Sequence, residues 1–237
     1  MISTNKKDPD SNELPIGTEK SKMVRSIFDS IAPRYDLLNR ILTLGLDIRW
    51  RRQAIRELFP TPEGLAVDLA CGTGDLCNEL ITAGYKVIGI DFSWGMLSSN
   101  TSNAPLLCGD ISNIALANES VNAVTCGFAL RNFSDLELFF KESSRILRTG
   151  GRLVVIEVDT PTNLFLKTGH AFYFKKIVPR IGALISDRIA YQYLPRSTLY
   201  LPGEEELLKL ISESGFVDVT KKPLSGGIAQ LLTATRS

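Results

Sequence analysis

A single histidine among 237 residues, His170, leaves this chain almost no imidazole for metal binding or a proton relay. It sits among aromatic residues in a stretch that carries no motif, and no catalytic role is assigned to it. Cysteine is also sparse: Cys71, Cys77, Cys108 and Cys126 lie in or beside apolar segments, and no pair has zinc-ribbon spacing. That usage predicts free thiols in a reducing, cytoplasmic setting rather than a disulfide scaffold. No apolar run approaches the length of a membrane span. Residues 1–20 lack the apolar core of a secretory signal and read as a disordered tail, taken as 1–21. An excess of either charge is missing as well: 27 Lys and Arg against 26 Asp and Glu give a net charge of +1, with no electrostatic case for nucleic acid. What remains is an ordinary globular composition, 44% hydrophobic and 22% charged, long enough for one large domain.

The informative stretch is Ala66-Val67-Asp68-Leu69-Ala70-Cys71-Gly72-Thr73-Gly74-Asp75. A short apolar strand runs into a Gly-x-Gly turn, and the residues after Asp75 have amphipathic helical spacing. Strand, glycine turn and helix form a small-molecule site at the carboxyl end of a first parallel strand. About fifteen residues on, a second apolar run ends in Asp91, placed to accept hydrogen bonds from both hydroxyls of a ribose. The dinucleotide fingerprint needs a third glycine, and Cys77 holds that position. Asp68 and Asp75 flank the turn and would repel a pyrophosphate. S-adenosylmethionine, which has no phosphate and carries a sulfonium, suits the turn better than NAD; an NAD-dependent oxidoreductase is the competing class.

Residues 22–59 read as a helical cap, broken at Pro33 and Gly45. Pro60 to Gly64 links it to a cofactor-binding core over 64–159. Strands are predicted at about 65–70, 86–90, 105–109, 121–127 and 152–158, with helices at 75–83, 94–100 and 136–147, the last capped by Ser134. The alternation predicts an α/β, doubly wound parallel sheet. Segment 160–200 breaks it as a helical insert rich in aromatic and basic residues, including Tyr191 and Tyr193. A helix at 203–214 and strands at 216–221 and 228–235 close the chain over 203–237.

The chain resembles the ubiquinone/menaquinone biosynthesis C-methyltransferases, from about Val24 to Ala234. The resemblance is carried by Phe28-Asp29-Ser30-Ile31-Ala32-Pro33-Arg34-Tyr35-Asp36-Leu37-Leu38-Asn39, the 66–75 turn, Phe128-Ala129-Leu130-Arg131-Asn132, Val178-Pro179-Arg180-Ile181-Gly182 and Ala190-Tyr191-Gln192-Tyr193-Leu194. It implies a seven-stranded, Rossmann-like class I methyltransferase fold whose last strand runs antiparallel. It also implies S-adenosylmethionine contacts at Thr73, Asp91, Asp110, Ile111 and Gly127, beside Asp68, Gly72 and Gly74 of the turn. Gly127 departs from the family's usual hydroxyl residue and offers backbone only.

The implied reaction methylates a ring carbon of a prenylated quinol, with no metal. Arg131, just after the fourth strand, and Tyr35, in the cap, are the candidate catalytic residues. The ring is a naphthoquinol of the menaquinone or phylloquinone type, or a methoxy-benzoquinol of the ubiquinone type. A non-catalytic scaffold of a quinone-biosynthesis complex is the third reading. The insoluble tail implies peripheral membrane contact, for which the 160–200 insert has suitable composition; a homodimer is compatible with the sequence.

Overall fold

A computed structural model describes residues 15–59, 61, 63–161, 193 and 196–237. The chain opens with α1 (Gly17–Ile31), a 3-10 turn at Ala32–Arg34, α2 (Tyr35–Thr43) and α3 (Leu46–Arg56). The core follows: β1 (Leu65–Leu69), α4 (Asp75–Thr82), β2 (Lys86–Asp91), α5 (Trp94–Ser98), β3 (Leu106–Cys108), β4 (Val121–Gly127), α6 (Leu136–Ile146) and β5 (Leu147–Val158). The last described elements are α7 (Glu204–Glu213), β6 (Phe216–Leu224) and β7 (Ala229–Arg236).

Seven strands form one sheet in the order β3-β2-β1-β4-β5-β7-β6. The first five are parallel, and β7 enters antiparallel to both β5 and β6, as a short loop from β6 requires. β1 and β4 lie mid-sheet and are mostly buried on both faces, so apolar residues dominate them, and the buried Asp68 and Thr125 are hydrogen-bonded to each other across the pair. On one face Phe139, Phe140 and Ile146 of α6 and Leu207 and Ile211 of α7 pack on Val67, Val124 and Val155. On the other, Trp50, Ala54, Leu76 and Leu80 of α3 and α4 pack on Ala66, Ala123 and Val154. A third cluster joins Val24, Ile27 and Ile31 of α1 to Leu38 and Met96, fastening the N-terminal helices to the carboxyl edge of the sheet.

Several expected boundaries move. The N-terminal segment is helical from Gly17, inside the stretch read as tail; residues 1–14 lie outside the described residues. Asp135, not Ser134, caps α6 by accepting from the Leu138 amide at 2.9 Å. The Ser134 hydroxyl is spent instead on the Gly17 carbonyl, 3.1 Å, and on Ser21, 2.7 Å. Thr149-Gly150-Gly151 is a bulge within β5, where the register against β4 shifts and Gly150 takes φ +76°. Most of the 160–200 insert, including His170 and Tyr191, lies outside the described residues.

Candidate active site

The carboxyl ends of β1, β2 and β4 open into a cavity of about 320 Å³, closed over by α1 and α2. Its floor contains two backbone outliers: Ala70 after β1 at φ +55° and Phe128 after β4 at φ +59°. A bulky residue in that region is costly and persists only where its surroundings hold it. The Phe128 amide bonds the Ile156 carbonyl at 2.7 Å, its carbonyl accepts from Arg131 at 2.7 Å, and its ring lies 6.1 Å from Trp50.

Gly72, Asp91, Asp110, Ile111, Gly127 and Tyr35 all line this cavity. Asp91 holds its carboxylate between two amides, Gly72 at 2.9 Å to one oxygen and Ser93 at 2.8 Å to the other. Each oxygen keeps a lone pair for a further donor. Burial raises the Asp91 pKa above the ordinary carboxylate range, against the pull of the surrounding amides. Asp110 accepts from the amide and hydroxyl of Ser112 at 2.9 and 2.8 Å, which folds the loop after β3 around Ile111. Gly72 takes φ +52° and faces open space apart from the Met96 sulfur, so its backbone is bare to a ligand. At Gly127 a Cβ would meet the tip of the Leu76 side chain at 2.9 Å, so a larger residue there requires Leu76 to shift.

The other calls fall outside the cavity wall. The Thr73 hydroxyl donates to Asp36 of α2 at 2.5 Å. Gly74, at φ +93°, starts α4, and a Cβ there would collide with the Asn100 amide, which braces the turn by donating to the Gly72 carbonyl at 2.9 Å. Asp68 is buried beneath the turn, accepting from Thr125 at 2.7 Å, and burial pushes its pKa up to about 7. Arg131 is also buried and lies behind the wall, ion-paired to Glu157 of β5 and donating to Ser197 at 3.1 Å.

The carboxylate argument from the sequence therefore needs correction. Asp75 accepts from Arg40 at 3.0 Å through both oxygens and is paired with Arg51 at 3.0 Å, and the same two arginines pair with Asp47. Asp75 is neutralised and Asp68 is half protonated near neutrality, so of the carboxylates weighed for the cofactor, Asp91 and Asp110 are the ones that reach the cavity.

Sequence reasoning missed how the cap is held. Asp29 of α1 accepts from the Ser93 hydroxyl at 2.6 Å and the Gly95 amide at 2.9 Å, and Gly95 is glycine because a Cβ would lie 2.8 Å from the Asp29 backbone. The signal was present in the Phe28–Asn39 motif, whose two aspartates seven residues apart tie the cap to α5 and to the turn. Tyr35 stands between them over the cavity, its ring edge-on to Phe28 at 5.9 Å. Burial raises its hydroxyl pKa, so it stays protonated at neutral pH.

A family model, the ubiE/COQ5 methyltransferase family, matches residues 16–236. The Ubiquinone/menaquinone biosynthesis C-methyltransferase UbiE of Syntrophotalea carbinolica is 41% identical over 223 residues, covering 90% of this chain and 94% of that one. The demethylmenaquinone methyltransferase of Corynebacterium kroppenstedtii is 37% identical over 220 residues, covering 92% and 96%. Among solved structures, geranyl diphosphate C-methyltransferase from Streptomyces coelicolor, crystallised with S-adenosyl-L-homocysteine, matches with a TM-score of 0.57 at 17% identity, over 80% of this chain and 79% of that one. Phosphoethanolamine N-methyltransferase 2 of Haemonchus contortus, in complex with S-adenosyl-L-methionine, gives 0.58 at 13% identity, over 79% and 52%. At these identities the structures establish a shared methyltransferase fold.

Proposed function

This chain belongs to the ubiE/COQ5 methyltransferase family, and we propose that it methylates a ring carbon of a prenylated naphthoquinol, demethylmenaquinol to menaquinol, with S-adenosylmethionine as donor. The observation that carries the reading is the Asp91 carboxylate, fixed by the Gly72 and Ser93 amides at the cavity wall beside a turn that presents bare backbone. That donor set fits the cofactor: carboxylate lone pairs for ribose hydroxyls, Asp110 and Ile111 for an adenine, and, among the described residues that line the cavity, no Lys or Arg for a phosphate. The naphthoquinol ring is favoured by relatives named demethylmenaquinone methyltransferase in Corynebacterium kroppenstedtii and Roseiflexus.

When bound, the cofactor supplies an electrophilic methyl on a positively charged sulfur. The chain supplies position. Asp91 and the Asp110–Ile111 loop orient the nucleoside, and Phe128 and Tyr35 bound the space beside it. The nucleophile is the quinol ring carbon, made electron-rich by an adjacent hydroxyl. In that reaction the new C–C bond would form as the S–C bond breaks, its electron pair going to sulfur, and the ring proton would then pass to water. Alignment of that carbon with the S–C bond is worth roughly 7–11 kcal/mol. Tyr35, protonated at neutral pH, is suited to donate a hydrogen bond to the quinol oxygen, not to remove its proton. Arg131 acts through Glu157 and the Phe128 carbonyl as a positioning residue.

Residues 22–59 serve as the cap, 64–159 as the cofactor core and 203–237 as the closing unit. The tail brings the substrate from a bilayer, which makes the enzyme peripheral to a membrane; no helix among the described residues is long and apolar enough to cross one. The test is transfer of labelled methyl from S-adenosylmethionine to short-tailed demethylnaphthoquinol and methoxy-benzoquinol analogues. Transfer to the naphthoquinol in preference supports the reading, and transfer to neither removes it.

A further inference from the structure

We propose that the α2–α3 corner and the outer side of α3 form a docking surface for an anionic lipid bilayer. The proposal rests on the prenylated-substrate reading and names the surface that would meet the membrane.

Leu44 closes α2 in the left-handed region, φ +53°, with 82% of its surface exposed. Glycine or asparagine takes that position without the steric penalty a leucine pays. Here a leucine pays it and stays largely exposed, with little packing among the described residues. Leu37, one heptad earlier on the same side of α2, is 56% exposed. An apolar side chain held outward at a helix corner is suited to enter an apolar phase.

The adjoining side of α3 is basic. Arg49, Arg52 and Arg56 recur at i, i+3 and i+7, all exposed, while Asp47, Trp50, Arg51 and Ala54 bury the opposite side. Arg52 pairs with Glu79 at 3.2 Å, and Lys222 occupies Glu57 at 3.0 Å. Arg49 and Arg56 have no carboxylate partner among the described residues, so two guanidinium charges are left open on this side. α3 is about 16 Å long at 1.5 Å per residue, enough to lie along a headgroup layer. Its first turn is tied through Arg40 to Asp75, which follows the glycine turn at the carboxyl end of β1, so a chain lying this way holds that end of β1 close to the lipid. Two exposed leucines beside open arginines favour a bilayer over an acidic protein or nucleic acid, which would use the charges and leave Leu44 in water.

The test is sedimentation of the full chain, without quinol, with phosphatidylcholine vesicles containing or lacking phosphatidylglycerol. Expected is binding that requires phosphatidylglycerol and falls in 0.5 M salt. R49Q/R52Q/R56Q should lower partitioning about 100-fold. L44N, which suits the left-handed site, should lower it about ten-fold while melting no lower than the parent. Both variants should keep the parent's rate on a soluble short-tailed quinol without vesicles. If R49Q/R52Q/R56Q and R49Q/R56Q both sediment like the parent, if binding ignores phosphatidylglycerol, or if the surface captures heparin but no vesicles, the proposal fails. Failure of the soluble assay in the parent would count against the function proposed above, independently of vesicle binding.

Discussion

Asp36 of α2 accepts a hydrogen bond from the Thr73 hydroxyl of the glycine turn at 2.5 Å, so the helical cap and the turn share one contact beside the cavity. If the cavity takes the proposed cofactor, Thr73 acts on it through the cap. Thr73→Val keeps the shape and removes the donor, leaving the Asp36 carboxylate short of one partner. The dissociation constant for S-adenosylhomocysteine should rise about ten-fold, roughly 1.4 kcal/mol, by isothermal titration calorimetry. An unchanged constant would show the two parts bind independently.

Asp91→Ala removes the acceptor shared by the Gly72 and Ser93 amides as well as the lone pairs facing the cavity. Cofactor affinity should fall by roughly 2–4 kcal/mol. The melting temperature should fall too, since two amides lose a partner. Asp91→Asn keeps one acceptor oxygen and should fall between the parent and the alanine variant in both measurements.

The buried Asp68 gives a pH signature. Its folded pKa of about 7 lies above the ordinary 3.8, so the folded state binds the extra proton between those values. Its contribution is complete below about pH 4 and is lost as pH rises through 7. Urea melts of the parent should show a fall over pH 4–7 that Asp68→Asn lacks, the difference reaching about 4 kcal/mol. Equal slopes for the two proteins would place the titration elsewhere.

Arg131 and Glu157 form a buried pair, and the single changes Arg131→Met and Glu157→Gln each strand a charge. Each should cost about 3–5 kcal/mol in urea unfolding, while Arg131→Met with Glu157→Leu should recover much of it. If Arg131 positions Phe128, the double variant should bind S-adenosylhomocysteine weakly even where stability returns. If the arginine touched the reacting ring, binding would be normal and only the methyl-transfer rate would drop.

Gly95→Ala tests the other tie of the cap. The new methyl would lie 2.8 Å from the Asp29 Cα and 3.0 Å from its carbonyl, backbone atoms that cannot swing aside. A loss of about 1–3 kcal/mol is expected, with faster amide exchange in α1 than in the sheet.

The fold was legible because its signals are local. Apolar runs bounded by Gly and Asp marked the strands, and their alternation with amphipathic stretches gave the parallel sheet. Gly72, Asp91, Asp110 and Ile111 reach one cavity because each lies at or just beyond a strand's carboxyl end, where this topology converges. What could not be read depends on partners far along the chain. Nothing near Asp75 says that Arg40 and Arg51 neutralise it, and nothing near Arg131 says that Glu157 draws it behind the wall. The α6 cap moved by one residue because Ser134 is claimed by Gly17 and Ser21, 117 and 113 positions away.

The two margins of the sheet differ in build but share an outcome. β3 offers three residues for pairing, and β6 breaks its register between Val217 and Thr220 and places Pro223 near its end. Neither presents a long flat row of free amides and carbonyls, so a second molecule has little to zip onto. Pairing of copies along either of these edges is therefore disfavoured, and the sheet itself should stay seven strands wide as concentration rises.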